Sequence, residues 1–219
     1  MRRDNSCLDA GCSGQLRVVL SLRLVCVTLS TLCITPNVAL DRTLVVPRFT
    51  PGGVCRADRV YTTIGGRGLN VARALASLGK ANHSTGFIGG ASGEMAAQSA
   101  AGEGLTATWS RIGGETRTSL IILAAPDQAT IITEPGPIVT EGEWKQFEAD
   151  VTQLAHGRGA VCICGSLPPG SPPHATQRLL AAAIGHIAWD EFTLGRASDP
   201  SEIDANYVRR SDAELFWKE

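Results

Sequence analysis

A chain of 219 residues, 43% apolar and 19% charged, is long enough to bury one good-sized core. Twenty basic residues against 21 acidic ones leave a formal net charge of −1, which argues against a nucleic-acid-binding surface. Seven cysteines (Cys7, Cys12, Cys26, Cys33, Cys55, Cys162, Cys164) are odd in number and include no CxxC pair, so they read as buried, reduced thiols of a cytoplasmic protein.

Arg2 and Arg3 precede a Leu- and Val-rich stretch from Val18 to Ile34. Its outline is that of a signal peptide, but Arg23 interrupts it and no small-x-small site follows. The uninterrupted part is too short to span a bilayer, and no membrane partner is expected. Residues 1–30 are read as an N-terminal extension and 31–188 as the folded part. Leu32 to Thr35 predicts a buried strand, Asp41 a turn beyond it, and Thr43 to Val46 a second strand entering Pro51-Gly52-Gly53. Then comes Ile64-Gly65-Gly66-Arg67-Gly68-Leu69-Asn70, whose glycines let a backbone approach a ligand closely. Asn70 stands where a helix is expected to begin, with apolar Val71, Ala74, Leu75 and Leu78 before Gly79. A Gly-rich loop feeding a helix N-terminus offers unpaired N–H groups to a polar or anionic small molecule.

Further on, a strand over 84–88, a Gly-rich turn over 89–93 and a helix over about 94–103 are predicted. Thr118–Ala124 and Ala129–Thr133 read as β segments joined at Pro126-Asp127, fitting a flap outside the main sheet. Thr140-Glu141-Gly142-Glu143 is a capping-box pattern, and Trp144, Phe147, Val151 and Leu154 then share one helical face. Val161–Cys164 is a short apolar strand, on which Cys162 and Cys164 point to the same face. It enters Gly165-Ser166-Leu167-Pro168-Pro169-Gly170, followed by a helix over about 174–184. Periodicity then fades, and 189–219 reads as a divergent tail. Strands alternating with helices predict a parallel sheet in an α/β layer fold.

Asp41, beyond the carboxyl end of a strand, is placed to accept hydrogen bonds from sugar hydroxyls, or else is a solvated turn residue. Arg117 suits a phosphate, or a surface ion pair with Glu115. Glu134, before Pro135-Gly136-Pro137, sits near a cleft or in an exposed turn. Ser166 carries an exposed hydroxyl but none of the nucleophile patterns. Val71 occupies the third glycine position of a dinucleotide fingerprint, and no Walker A follows the 86–93 glycines. His83, His156, His174 and His186 share no ligand spacing, so no protein-bound metal site is expected.

These pieces in this order resemble the PfkB carbohydrate kinase family of the ribokinase-like fold, in its hexose-phosphate kinase branch (1-phosphofructokinase, tagatose-6-phosphate kinase and the minor 6-phosphofructokinase). The carriers are Thr35–Thr43, Gly65–Ala72, Glu115–Thr118, Glu134–Pro137 and Gly165–Gly170. The resemblance implies a three-layer α/β/α sandwich with a small β lid from about 43–62 and 118–134. It implies a sugar site formed by Asp41, Gly65, Gly66 and Asn70, with Glu134 and Ser166 nearby and Arg117 on the substrate's phosphate. It further implies ATP with Mg²⁺ as donor, a hexose phosphate as acceptor, and a homodimer through the lid. Val38, Arg67 and Cys164 depart from the family's Pro, Lys and Ser. The family's late Gly-Ala-Gly-Asp motif, with its base, is not found before Glu219. The sequence therefore reads as a member lacking its C-terminal part and its catalytic residue, with a non-catalytic sugar-phosphate binder or dimer partner as the alternative.

Overall fold

A computed structural model describes residues 30–124 and 128–196. The extension before residue 30, with Cys7, Cys12 and Cys26, the turn at Pro126-Asp127 and the tail beyond residue 196 lie outside the described residues. In chain order the elements are β1 (Thr31–Asn37), β2 (Ala39–Val46), β3 (Arg59–Gly65), α1 (Arg67–Ser77), β4 (Asn82–Ile88) and α2 (Gly90–Gly102). They continue as β5 (Ala107–Arg111), β6 (Arg117–Ala124), β7 (Gln128–Thr133), α3 (Glu141–Ala155), β8 (Ala160–Ile163) and α4 (Ala175–Thr193).

The body is a four-stranded sheet in the order β5-β4-β1-β8, parallel throughout. Leu32, Cys33 and Ile34 of β1 are all fully buried, the continuous burial expected where helices cover both faces of a parallel sheet. On one face Leu32, Ile34 and Phe87 pack with Trp144, Phe147 and Val151 of α3 and Leu179 of α4. The Phe87, Trp144 and Phe147 rings meet at centroid distances of 4.2 to 5.8 Å. On the other face Ile88 joins Leu69 of α1, Ala96 and Ala100 of α2, and Val38, Leu40 and Ile64. The result is three layers, helix–sheet–helix. The capping box forms: Thr140 Oγ1 accepts from the Glu143 N–H, and Glu143 Oε2 accepts from the Thr140 N–H at 2.8 Å.

The second sheet has the order β3-β2-β6-β7, with β2 antiparallel to β3 and parallel to β6. β1 ends at Asn37 and β2 begins at Ala39, so the chain crosses from one sheet to the other over buried Val38 alone. That crossing hangs the second sheet over the carboxyl end of β1, where ligands gather in open α/β sheets.

Several expectations are corrected. Asp41 lies within β2, not in a turn, because Ala39 and Leu40 are buried and carry the strand back beyond Thr43. The flap strands form a sheet whose segments run over 39–65 and 117–133. α1 starts at Arg67, three residues before Asn70, because the reversal is made at Gly66 with φ +143°, a left-handed-side value that disfavours any residue with a Cβ. β5 carries too few apolar residues to be visible in the sequence. α4 runs on to Thr193, its pattern blurred by Ile184, Trp189 and Phe192, which stay exposed. Cys33 is buried but Cys55 is exposed, against the expectation of uniformly buried thiols. None of the described helices is long and apolar enough to cross a membrane.

Candidate functional site

A polar cleft of about 480 Å³ opens where the two sheets meet. Its floor is the end of β1 (Thr35, Asn37), its sides the start of α1 (Gly66, Arg67, Asn70) and the loop after β8 (Gly165, Ser166), and its roof Asp41, Arg117, Ser119 and Thr133 of the second sheet. A larger hollow of about 700 Å³ between α3 and α4, lined by Glu148, His156 and Arg178, shares no residue with it and is walled mainly by aliphatic surface.

Asp41 stands opposite Thr63 on β3 and Ser119 on β6. Its carboxylate crosses directly above Gly65, where a Cβ would collide with it. Burial raises the Asp41 pKa, while the Arg117 and Arg73 guanidiniums pull it back without cancelling the rise. Arg117, at the start of β6, reaches the Asn37 carbonyl at 3.3 Å and the Glu134 carbonyl at 3.4 Å. These contacts are long, so the guanidinium keeps donor capacity for an anion. No ion pair joins it to Glu115, which accepts from the Ser92 N–H at 2.6 Å instead.

Two buried polar groups at the floor lack partners. The Thr35 hydroxyl, on a residue 1% exposed, and the Asn37 Oδ1 have no hydrogen-bond partner. Leaving such groups unpaired costs free energy, about 1–3 kcal/mol each by the general rule; the Thr35 hydroxyl faces Gly68 and the Asn37 Oδ1 faces Gly136. Asn37 Nδ2 is already placed, donating to Ser166 Oγ at 3.2 Å. The N-terminus of α1 has no side-chain cap and no acidic residue in its first turn, leaving its amides open to a negatively charged group.

The structure thus brings Asp41, Gly66, Asn70, Arg117 and Ser166 to one cleft, with Gly65 beneath Asp41. It does not bring Glu134 into the cleft wall. The Glu134 carboxylate accepts from the Thr118 N–H at 2.6 Å and closes the β6–β7 end, beside a neighbouring hollow shared with Arg117. Thr35, Asn37, Ser119 and Thr133 escaped residue-by-residue reading. Thr35 and Asn37 carried a signal, polar residues ending an apolar strand, but Ser119 and Thr133 carried none. Arg73 was also missed: it donates to Asn70 Oδ1 at 2.8 Å and to the Glu103 carboxylate at 2.7 Å, steadying the first turn of α1.

A three-layer body whose central strand opens into a polar cleft roofed by a separate β sheet is the ribokinase-like architecture. The chain belongs to the pfkB family of carbohydrate kinases, whose family profile matches residues 31–197. It is 35% identical over 158 residues to a 1-phosphofructokinase of Rhodobacter capsulatus, covering 71% of this chain and 50% of that protein. A 1-phosphofructokinase of Xanthomonas campestris pv. campestris is 31% identical over 157 residues, with 71% and 49% covered. Among solved structures, it is similar to Escherichia coli phosphofructokinase-2 in complex with fructose-6-phosphate, at 31% identity and TM-score 0.65, over 72% of this chain and 52% of that one. The tetrameric inhibited form of the same protein is similar at 29% identity and TM-score 0.67, over 73% and 52%. These relatives put the chain in the hexose-phosphate kinase branch. The chain spans about half the length of the curated relatives it matches.

Proposed function

We propose that this chain carries the sugar-phosphate-binding part of an ATP-dependent hexose-phosphate kinase, acting on fructose 1-phosphate, fructose 6-phosphate or tagatose 6-phosphate. The observation that carries this reading is the cleft's division of labour. An acceptor, the Asp41 carboxylate, stands at the junction of the sheets beside the polar side chains of Asn70, Ser119 and Ser166, with cations (Arg117, Arg67) around it. Acceptors suit sugar hydroxyls, and a guanidinium suits the phosphate already on the sugar. In this reading Asp41 orients the sugar over Gly65 and Gly66, Asn70 and Ser166 flank it, and Arg117 holds its phosphate. Glu134 supports Arg117 from behind through its backbone carbonyl.

ATP with Mg²⁺ would supply the transferred phosphoryl group. Among the described residues no group of three or more His, Cys, Asp or Glu side chains assembles that could hold a metal ion. The cleft wall holds one carboxylate, Asp41. The second reading is a chain that binds sugar phosphate without transferring a phosphoryl group.

The second sheet would act as a lid, and its exposed apolar residues, Val60 and Ile132 on one face with Tyr61 and Ile131 on the face that carries Asp41, support pairing with the lid of a second copy. Melting curves with each hexose phosphate test the site: a rise with one of the three, absent with unphosphorylated sugar, is expected. ADP formation from ATP and the same sugar separates the kinase from the binder.

A further inference from the structure

Cys162 and Cys164, at the end of β8, adjoin the cleft without lining it. With only Ile163 between them their side chains leave the strand on one face, and their Sγ atoms lie 3.3 Å apart. Both are half-buried, so small reagents can reach them. Cys33, the register neighbour of Cys162 on β1, is fully buried. The residue after Cys164 is Gly165, at φ +99° with open space where a Cβ would stand, followed by Ser166 with its hydrogen bond from Asn37.

We propose that Cys162 and Cys164 form a reversible disulfide, by exchange with a low-molecular-weight disulfide of the glutathione class, that loosens the Gly165-Ser166 wall of the cleft. In the first step one cysteine sulfur attacks the external disulfide, forming a mixed disulfide and releasing one thiol. In the second the other cysteine sulfur attacks the protein sulfur, closing the Cys162–Cys164 bond and releasing the second thiol. Two electrons pass to the external disulfide, and the two cysteine protons leave on the released thiols.

The geometry makes the bond attainable but not free of consequence. Residues two apart on an extended strand have Cα atoms about 6.4–6.8 Å apart, the upper end of the range a disulfide spans. Closing the bond therefore draws Cys164 toward Cys162. Cys164 is the more movable partner, being past the last residue of β8 and held to β1 by one backbone hydrogen bond, from its N–H to the Ile34 carbonyl at 3.0 Å. The displacement passes into Gly165, which has room to turn, and then into Ser166. Burial and the Cys164 thiol together push Cys162 up to about 12. A scarce thiolate slows the exchange without changing its end point.

The full chain incubated with glutathione disulfide, alkylated and digested with trypsin gives the test. Cleavage after Arg158 and Arg178 releases peptide 159–178, which holds Cys162, Cys164 and no other cysteine. The expected peptide has lost two hydrogen atoms and takes no alkyl group until dithiothreitol is added. Amide exchange over 164–170 quickens on oxidation, and fructose 6-phosphate binding weakens several-fold. Cys164→Ser neither cross-links nor responds. Two free thiols, a lone glutathione adduct, a cross-link to Cys33 in peptide 24–42, or a cross-link with unchanged exchange over 164–170 would each overturn the proposal. The effect on binding rests on the sugar-phosphate reading. If the reduced chain binds no sugar phosphate, that reading fails, while mass and exchange still decide the disulfide.

Discussion

The two sheets are written in similar residues, yet Leu32, Cys33 and Ile34 of β1 are closed to solvent while all six residues of β7 are exposed. The body sheet is sandwiched between two helical pairs and shares their cores. The second sheet owns a small cluster around Val46, Ile122 and Ala124. It nevertheless supplies the cleft with its carboxylate, Asp41, and with Arg117. Stability is thus concentrated in one sheet and ligand chemistry in the other. Substitutions in the two should separate folding from binding.

The largest expected effect is in the body. Trp144, 1% exposed and packed on Phe87 and Phe147, should cost about 3–5 kcal/mol of unfolding free energy as Trp144→Ala, read by urea denaturation. Next comes Arg117→Ala in the second sheet. Loss of a charge-assisted contact worth about 1.5–3 kcal/mol should weaken hexose-phosphate binding about 10- to 100-fold with the melting temperature nearly unchanged. A fall in stability as large as that of the Trp144 variant would erase the distinction between the sheets.

A smaller effect sharpens it. Thr140→Ala removes one side of the capping box at the start of α3 and should cost about 1 kcal/mol of stability, leaving binding untouched in calorimetry. The smallest carries a sign. Burial raises the Asp41 pKa in the folded chain, so the stability this group contributes is fully present below its unfolded pKa and is lost as pH rises through the folded one. Asp41→Asn, which never ionises, should melt slightly higher than the parent near neutral pH and match it in acid below the ordinary carboxylate range. It should still bind sugar phosphate less well, trading function for stability.

Much of the body was legible because its signals are local. The Thr140–Glu143 cap and the Trp144, Phe147, Val151 spacing announced α3, and the apolar run at Leu32–Thr35 announced β1. Gly65 and Gly66 marked the approach to the cleft, but the reversal falls at Gly66, so the helix begins before Asn70. The rest depended on contacts distant in sequence. Asp41 reads as a turn residue in the sequence because pairing with Ser119, 78 positions on, is what makes that segment a strand. Glu134 stays open between cleft and exposed turn in the sequence because nothing local reveals that Thr118 captures its carboxylate. Nothing in the sequence marks Arg73, because its partner Glu103 lies 30 positions on.

The most direct test is calorimetric titration of the full chain with fructose 6-phosphate, fructose 1-phosphate and tagatose 6-phosphate, with fructose and inorganic phosphate as controls. The account predicts saturable binding of at least one sugar phosphate, much tighter than either control, and weakened about tenfold or more in both Asp41→Ala and Arg117→Ala although each variant keeps the parent's cooperative melting. No heat with any of the three, or binding of undiminished affinity in both variants, would contradict it.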